Sequence, residues 1–229
     1  MPPPVIFGEP SSIFVRGILI VLTEKGIPYR LAEESEQPGG DLGEQLPGET
    51  VIEHSGLLVR GAESILRYVD EALPGARLQP EAPRQRARMN RALEIFFREA
   101  VPVLGGEILR RHLASAFTDE WISPDLPETV ARLARRAVGR LSEVLDGGPF
   151  FAGDMFTLAD AAVVPLFAYL MPLLESEALI ARASPLRSWW AGACWNETAC
   201  EGPNRRMASS RCCSQAHEGH PGAEIWPRA

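Results

Sequence analysis

No cysteine occurs in the first 193 residues of this chain; all four, Cys194, Cys200, Cys212 and Cys213, lie at its far end. A disulfide-stapled secreted fold spreads cysteines through its core, so that class is excluded. Basic residues are outnumbered as well: 23 Lys and Arg stand against 30 Asp and Glu, for a formal charge of −7 and a pI near 5.2. Such a surface offers phosphate backbones and anionic lipid no broad attraction, and no nucleic-acid partner is expected. Long apolar runs are missing too. None approaches the ~18 residues of a membrane span, and Met1-Pro2-Pro3-Pro4 lacks the basic and apolar regions of a secretory signal. The expectation is a cytoplasmic protein with no membrane partner.

What the chain does have is 45% hydrophobic beside 23% charged residues over 229 positions, enough apolar material for a substantial core in one or two domains. Pro4 to Phe7 is a short apolar run closed by Gly8-Glu9-Pro10, the pattern of a buried strand and a turn. Ser11 and Ser12 supply hydroxyl caps for a helix whose apolar residues Val15, Ile18, Leu19 and Leu22 recur at helical spacing, with Gly26 and Pro28 as its stop. Pro28 to Ala32 then completes a β-α-β unit. Glu33 to Thr50 reads as a loop with at most a short helix. Val51-Ile52-Glu53 and Leu57-Leu58-Val59 flank the turn-like His54-Ser55-Gly56 and predict an antiparallel hairpin. A short helix follows, begun by Ile65, Leu66, Tyr68 and Val69 and ended near Pro74-Gly75.

Leu78 to Pro83 breaks the apolar period and reads as a linker. Beyond it the periodicity is helical throughout. Arg84 to Ala100 is amphipathic, with a kink or break expected at Pro102 and Gly105-Gly106 before Ile108 to Leu113. Val130, Leu133, Ala137, Val138, Leu141 and Val144 form another stripe, and Thr157 to Met171 is apolar enough to be a central buried helix. Leu186 to Ala193 adds one or two turns. After Trp195 no apolar period survives. The predicted organisation is therefore an α/β domain over 1–77, an all-helical domain over 84–195 and a poorly ordered tail over 196–229.

Three segments together resemble the glutathione transferase family. One runs from Val5-Ile6-Phe7-Gly8 through Ser12-Ile13-Phe14-Val15-Arg16 to Glu24-Lys25-Gly26-Ile27-Pro28-Tyr29; another is Ile65 to Glu71; the third is Phe150-Phe151-Ala152-Gly153-Asp154 with Thr157-Leu158-Ala159-Asp160. The resemblance covers roughly residues 4–193. It implies a thioredoxin-like α/β half followed by an all-α helical bundle, glutathione as co-substrate, a small hydrophobic electrophile and a homodimer. It also makes Ser12 the catalytic serine, four residues before an arginine. A helix start offers unpaired N–H groups and a positive dipole end, and a hydroxyl adds one more donor to a thiolate resting there. A plain N-cap is the other reading of Ser12, and Ser11 competes for the donor role.

The remaining glutathione contacts are expected from Ser11, from the backbone at Val51 and Ile52, and from Glu63 and Ser64, whose carboxylate and hydroxyl suit an ammonium and a carboxylate. Counted from Ile65 and Tyr68, the family's acidic-serine pair would fall at Gly61-Ala62. The family's cis-proline is also replaced, by Thr50 or Val51, so a trans peptide is expected there. Phe14, Phe96, Phe97 and Val101 are expected to line the electrophile pocket. Thr157 and Asp160 form a capping box and are assigned to folding. His54 and His112 are read as solvated or capping, and no metal is expected, the tail's Cys212, Cys213, His217 and His220 being too poorly supported for zinc. The alternative reading is a non-catalytic interaction module of the same fold with a degenerate glutathione site.

Overall fold

The computed structural model describes residues 2–37, 49–109, 127–176, 179–180 and 185–195. The 1–77 region begins with strand β1 (Val5–Phe7), helix α1 (Ile13–Glu24) and strand β2 (Arg30–Ala32), followed by one short 3₁₀ turn at Glu34–Glu36. Strands β3 (Val51–His54) and β4 (Leu57–Arg60) and helix α2 (Ala62–Ala72) complete it. The sheet order is β2-β1-β3-β4, with β1 and β2 parallel, β3 antiparallel to both its neighbours, Val5 beside Arg30 and Ile6 beside Ile52. Strand alternation sorts the side chains. Ile6 and Ile52 join the main core with α1 and α2, whereas Phe7, Ala32 and Val51 form a second, smaller cluster with Val5 and Leu58.

The helical region holds α3 (Pro83–Ile95), α4 (Glu128–Leu145), α5 (Leu158–Ser176) and α6 (Pro185–Trp195). This is the order, an α/β region followed by an all-helical one, that the pattern of strands and helices predicts. The disturbance expected at Pro102 as a kink or break takes the form of a π-helical winding, in which the chain after α3 continues from Phe96 to Leu109. Proline lacks an N–H and its ring crowds the preceding turn, and a wider helix relieves both. The expected segment up to Leu113 and the tail beyond Trp195 lie outside the described residues.

The stretch read as a linker is also different at its start. Leu78, Gln79 and Pro80 are buried. Asp70 accepts the Leu78 and Gln79 N–H groups at 2.7 and 3.1 Å and Gln79 Nε2 at 3.2 Å. Lys25 Nζ stands 3.5 Å from the same carboxylate and donates to the carbonyls of Asp70 and Ala76 at 3.1 and 2.9 Å. Pro80 interrupts the helical period here without bringing the chain to the surface, because Asp70 of α2 and Arg86 of α3 satisfy its backbone.

Helix α5 crosses α1 closely where Gly17 meets Ala161 and Ala162. A Cβ placed on Gly17 would stand 3.1 Å from the Ala161 carbonyl oxygen and 3.5 Å from Ala162 Cα, both backbone atoms that cannot rotate away. Gly17→Ala is therefore expected to cost about 1–3 kcal/mol through overpacking, despite alanine's better helix propensity. Urea unfolding measures it; a stabilised variant would show that the two helices part freely.

Candidate functional site

The head of α1 carries the two candidate serines. Ser12 occupies the N-cap position with extended backbone (φ −60°, ψ 129°), half-buried, and its hydroxyl makes no capping bond. Its N–H donates to the Glu9 carbonyl at 2.9 Å and its carbonyl accepts from Arg16 N–H at 3.0 Å. Ser11 is exposed and its hydroxyl donates to Glu9 Oε1 at 3.2 Å. Arg16, one turn on from Ser12 and so on the same helix face, donates from Nη1 to Tyr169 Oη at 3.2 Å, and the tyrosine hydroxyl donates to the Ser11 carbonyl at 3.0 Å.

A cleft of about 300 Å³ opens where the helical region meets the sheet region, lined by Phe14, Glu49, Thr50, Gly61, Ala62, Glu63, Ser64 and Phe97. One wall is aromatic. Phe14 and Phe97 lie nearly parallel, centroids 6.2 Å apart at 16°. The opposite wall is the first turn of α2, whose N-cap is Gly61 at φ 80°, a left-handed conformation suited to a residue without Cβ. Glycine has no side chain to cap the helix, so the first N–H groups of α2 stay free of side-chain caps. Glu63 lies exposed beside them and accepts from Arg67 Nη2 at 3.2 Å; Ser64 is exposed. Glu49 pairs with Arg60 at 3.4 Å. The cleft thus combines acceptors for an ammonium, donors for a carboxylate and a flat apolar wall.

The expected site residues divide among these places. Phe14, Phe97, Glu63 and Ser64 line the cleft; Ser11 and Ser12 do not. Glu63 and Ser64 sit inside the helix, which starts at Ala62, and Gly61 and Ala62, where the family's pair would fall, line the same cleft. Val51 and Ile52 are both fully buried, paired with Phe7 and Ile6 on one side and with Arg60 and Val59 on the other. A central strand uses its backbone groups within the sheet. The chain opens onto the cleft one step earlier, at Glu49 and Thr50, the loop just ahead of the strand and the signal that marks them. No cis peptide occurs among the described residues. Phe96 is 1% exposed, packs edge-on against Phe97 at 5.0 Å and is not part of the cleft lining. Val101 is half-buried against the main core and off the cleft wall.

Two polar residues outside the cleft have settled partners. His54, read as solvated or capping, is buried at the end of β3 with Nδ1 2.8 Å from Tyr68 Oη. His112 lies outside the described residues. Asp160, at the third position of α5, accepts from Thr157 N–H at 2.9 Å, Thr157 Oγ1 at 2.8 Å, Phe151 N–H at 3.1 Å and Trp189 Nε1 at 2.8 Å. The capping box is thus turned inward, its threonine hydroxyl donating to the carboxylate. Burial pushes the Asp160 carboxyl up to about 6, against the pull of the Trp189, Thr157 and Phe151 donors. Among the described residues no group of three His, Cys, Asp or Glu side chains is placed to hold a metal ion, and no helix is long and apolar enough to cross a membrane.

Residues 79–191 match the family model of the glutathione S-transferase C-terminal domain. Among solved structures, glutathione transferase F2 from Populus trichocarpa is similar at 22% identity with a TM-score of 0.70, over 86% of this chain and 95% of that one. A delta-class glutathione transferase from Nilaparvata lugens is similar at 19% identity and TM-score 0.68, over 90% and 95%. A third, BmGSTD1 from Bombyx mori, is similar at 19% identity and TM-score 0.63, over 83% and 87%. The structures establish the fold, and the matched domain supports the glutathione transferase family.

Proposed function

We propose that this chain is a glutathione transferase that binds glutathione along the cleft and joins its sulfur to a small apolar electrophile. The observation that carries the reading is the cleft itself, in which the open first turn of α2, with Glu63 and Ser64, faces the Phe14–Phe97 wall. The γ-glutamyl end of glutathione has both an ammonium and a carboxylate. Glu63 would take the first, and Ser64 with the free N–H groups of α2 the second. The sulfur would then extend toward the head of α1, where the Ser12 hydroxyl donates to the thiolate and lowers the thiol's pKa. The thiolate attacks the electrophilic carbon held on the aromatic wall, the C–S bond forms, and the leaving group departs with the bond's electron pair. By the same family analogy the protein is a cytoplasmic homodimer that needs no metal.

The test is conjugation of glutathione to a chlorinated dinitrobenzene, followed by absorbance. Saturable turnover with both substrates is expected; turnover no faster than the uncatalysed reaction would favour the second reading, a non-catalytic interaction module. That alternative has its own support, since Ser12 is absent from the cleft wall and Val51 and Ile52 are drawn into the sheet. Glu63→Gln is expected to weaken glutathione binding about tenfold, the worth of one hydrogen bond to a charged group. Titration calorimetry reads it, and an unchanged affinity would move the ammonium to Glu49.

A further inference from the structure

One peptide unit, the Ser11 carbonyl together with the Ser12 N–H, is fixed at both ends. The N–H donates to the Glu9 carbonyl at 2.9 Å, and the carbonyl oxygen accepts the Tyr169 hydroxyl at 3.0 Å. These two bonds set the plane from which the Ser12 side chain departs. The first is local, a turn of four residues. The second comes from α5, 158 residues along the chain.

The tyrosine's hydroxyl does two jobs. While donating to Ser11 it accepts from Arg16 Nη1 at 3.2 Å, and its ring lies 5.5 Å from the guanidinium carbon. Arg16 shares the helix face of Ser12 and forms no ion pair with a carboxylate among the described residues. The cation is held in place by a neutral residue, one turn from the serine. Tyr169 thus links the helical region to the orientation of a hydroxyl and to the position of a positive charge, although it touches neither the cleft nor Ser12 Oγ.

We propose that Tyr169 is a positioning residue for the reaction, fixing the Ser11–Ser12 peptide and the Arg16 guanidinium from across the α1–α5 contact. The proposal rests on the glutathione transferase reading above. It gives α5 a role in chemistry beyond packing: the serine points correctly only while the helical region stays docked.

Tyr169→Phe separates positioning from folding, because it keeps the ring under Arg16 and deletes only the hydroxyl. Two readouts on the full chain are needed. Amide hydrogen exchange over residues 8–17 is independent of glutathione, and roughly tenfold faster exchange confined to that segment is expected once the carbonyl is released. In the conjugation assay, kcat at neutral pH is expected to fall about tenfold with KM for glutathione moving less than about twofold. The pH–rate profile should shift upward by about one unit, as a less well directed donor raises the thiol's pKa. Unchanged exchange would overturn the clamp. Faster exchange with an unaltered kcat and pH profile would reduce Tyr169 to a purely structural contact and overturn the positioning role. A wild-type chain without turnover would defeat the transferase reading and this proposal's catalytic half with it, while exchange still decides whether the clamp exists.

Discussion

Asp160→Ala is expected to lower the stability of the protein by about 3–5 kcal/mol, since an acceptor is removed from buried donors that have no water to turn to. For a chain of this size that is a fall of the order of 10 °C in the thermal midpoint. The donors come from three places: the turn at Phe151, the start of α5 at Thr157, and Trp189 in α6. Their loss would loosen the meeting point of α5 and α6, not one cap alone. The pH dependence has a definite sign. Because burial raises the carboxyl from 3.8 to about 6, the folded protein binds a proton there between those values while the unfolded chain does not. This group's contribution is therefore greatest below pH ~4 and declines by about 3 kcal/mol as pH rises through 6. Urea unfolding of wild type and Asp160→Asn across that window measures it. If the difference between the two proteins is flat with pH, the carboxyl is not raised.

Ser12→Ala is expected to reduce conjugation at neutral pH by roughly ten- to a hundredfold, the worth of a hydrogen bond to a charged sulfur at ~1.5–3 kcal/mol. The folded state should be nearly unaffected, because the hydroxyl makes no capping bond that the substitution could break. The loss should also shrink with rising pH. Removing a donor raises the thiol's pKa, so the variant recovers once the medium itself ionises the sulfur. A stopped-flow pH–rate profile separates this from misfolding. Activity equal to wild type across the whole range would transfer the role to Ser11 or to the backbone N–H groups of α1, and a drop in unfolding free energy would return Ser12 to simple capping.

The elements were legible where the signal is local. The first strand, the α1 stripe and the hairpin around Ser55-Gly56 stand close to where composition and spacing put them, because strand alternation and helical period are properties of neighbours, whereas the hydroxyl cap expected of Ser12 is not made. Ser55 and Gly56, at φ 55° and 82°, make the tight turn. The π-helical winding was not legible: Pro102 announces a disturbed helix but cannot say whether it breaks or widens. Nor was the burial of Leu78 and Gln79, which depends on Asp70 folding back from α2. At the site, the aromatic wall was half visible. Phe97 and Phe96 are adjacent, and only the turn of the helix decides which one faces the cleft. Glu63 and Ser64 could be named by chemistry, but their place in the first turn of α2 depends on where that helix begins. Tyr169 had no sequence signal, its partner lying at the other end of the chain.

Glutathione transfer in this protein requires the tripeptide to settle on the start of α2, with the electrophile taken up by the two parallel phenylalanines. Titration calorimetry of glutathione into the full chain tests this directly, with Phe97→Ala as the comparison that should spare binding while weakening capture of the electrophile. Saturable heat with a dissociation constant in the millimolar range or tighter is the predicted result. A titration that shows only dilution heat throughout that range would contradict the proposed function and leave the fold standing without it.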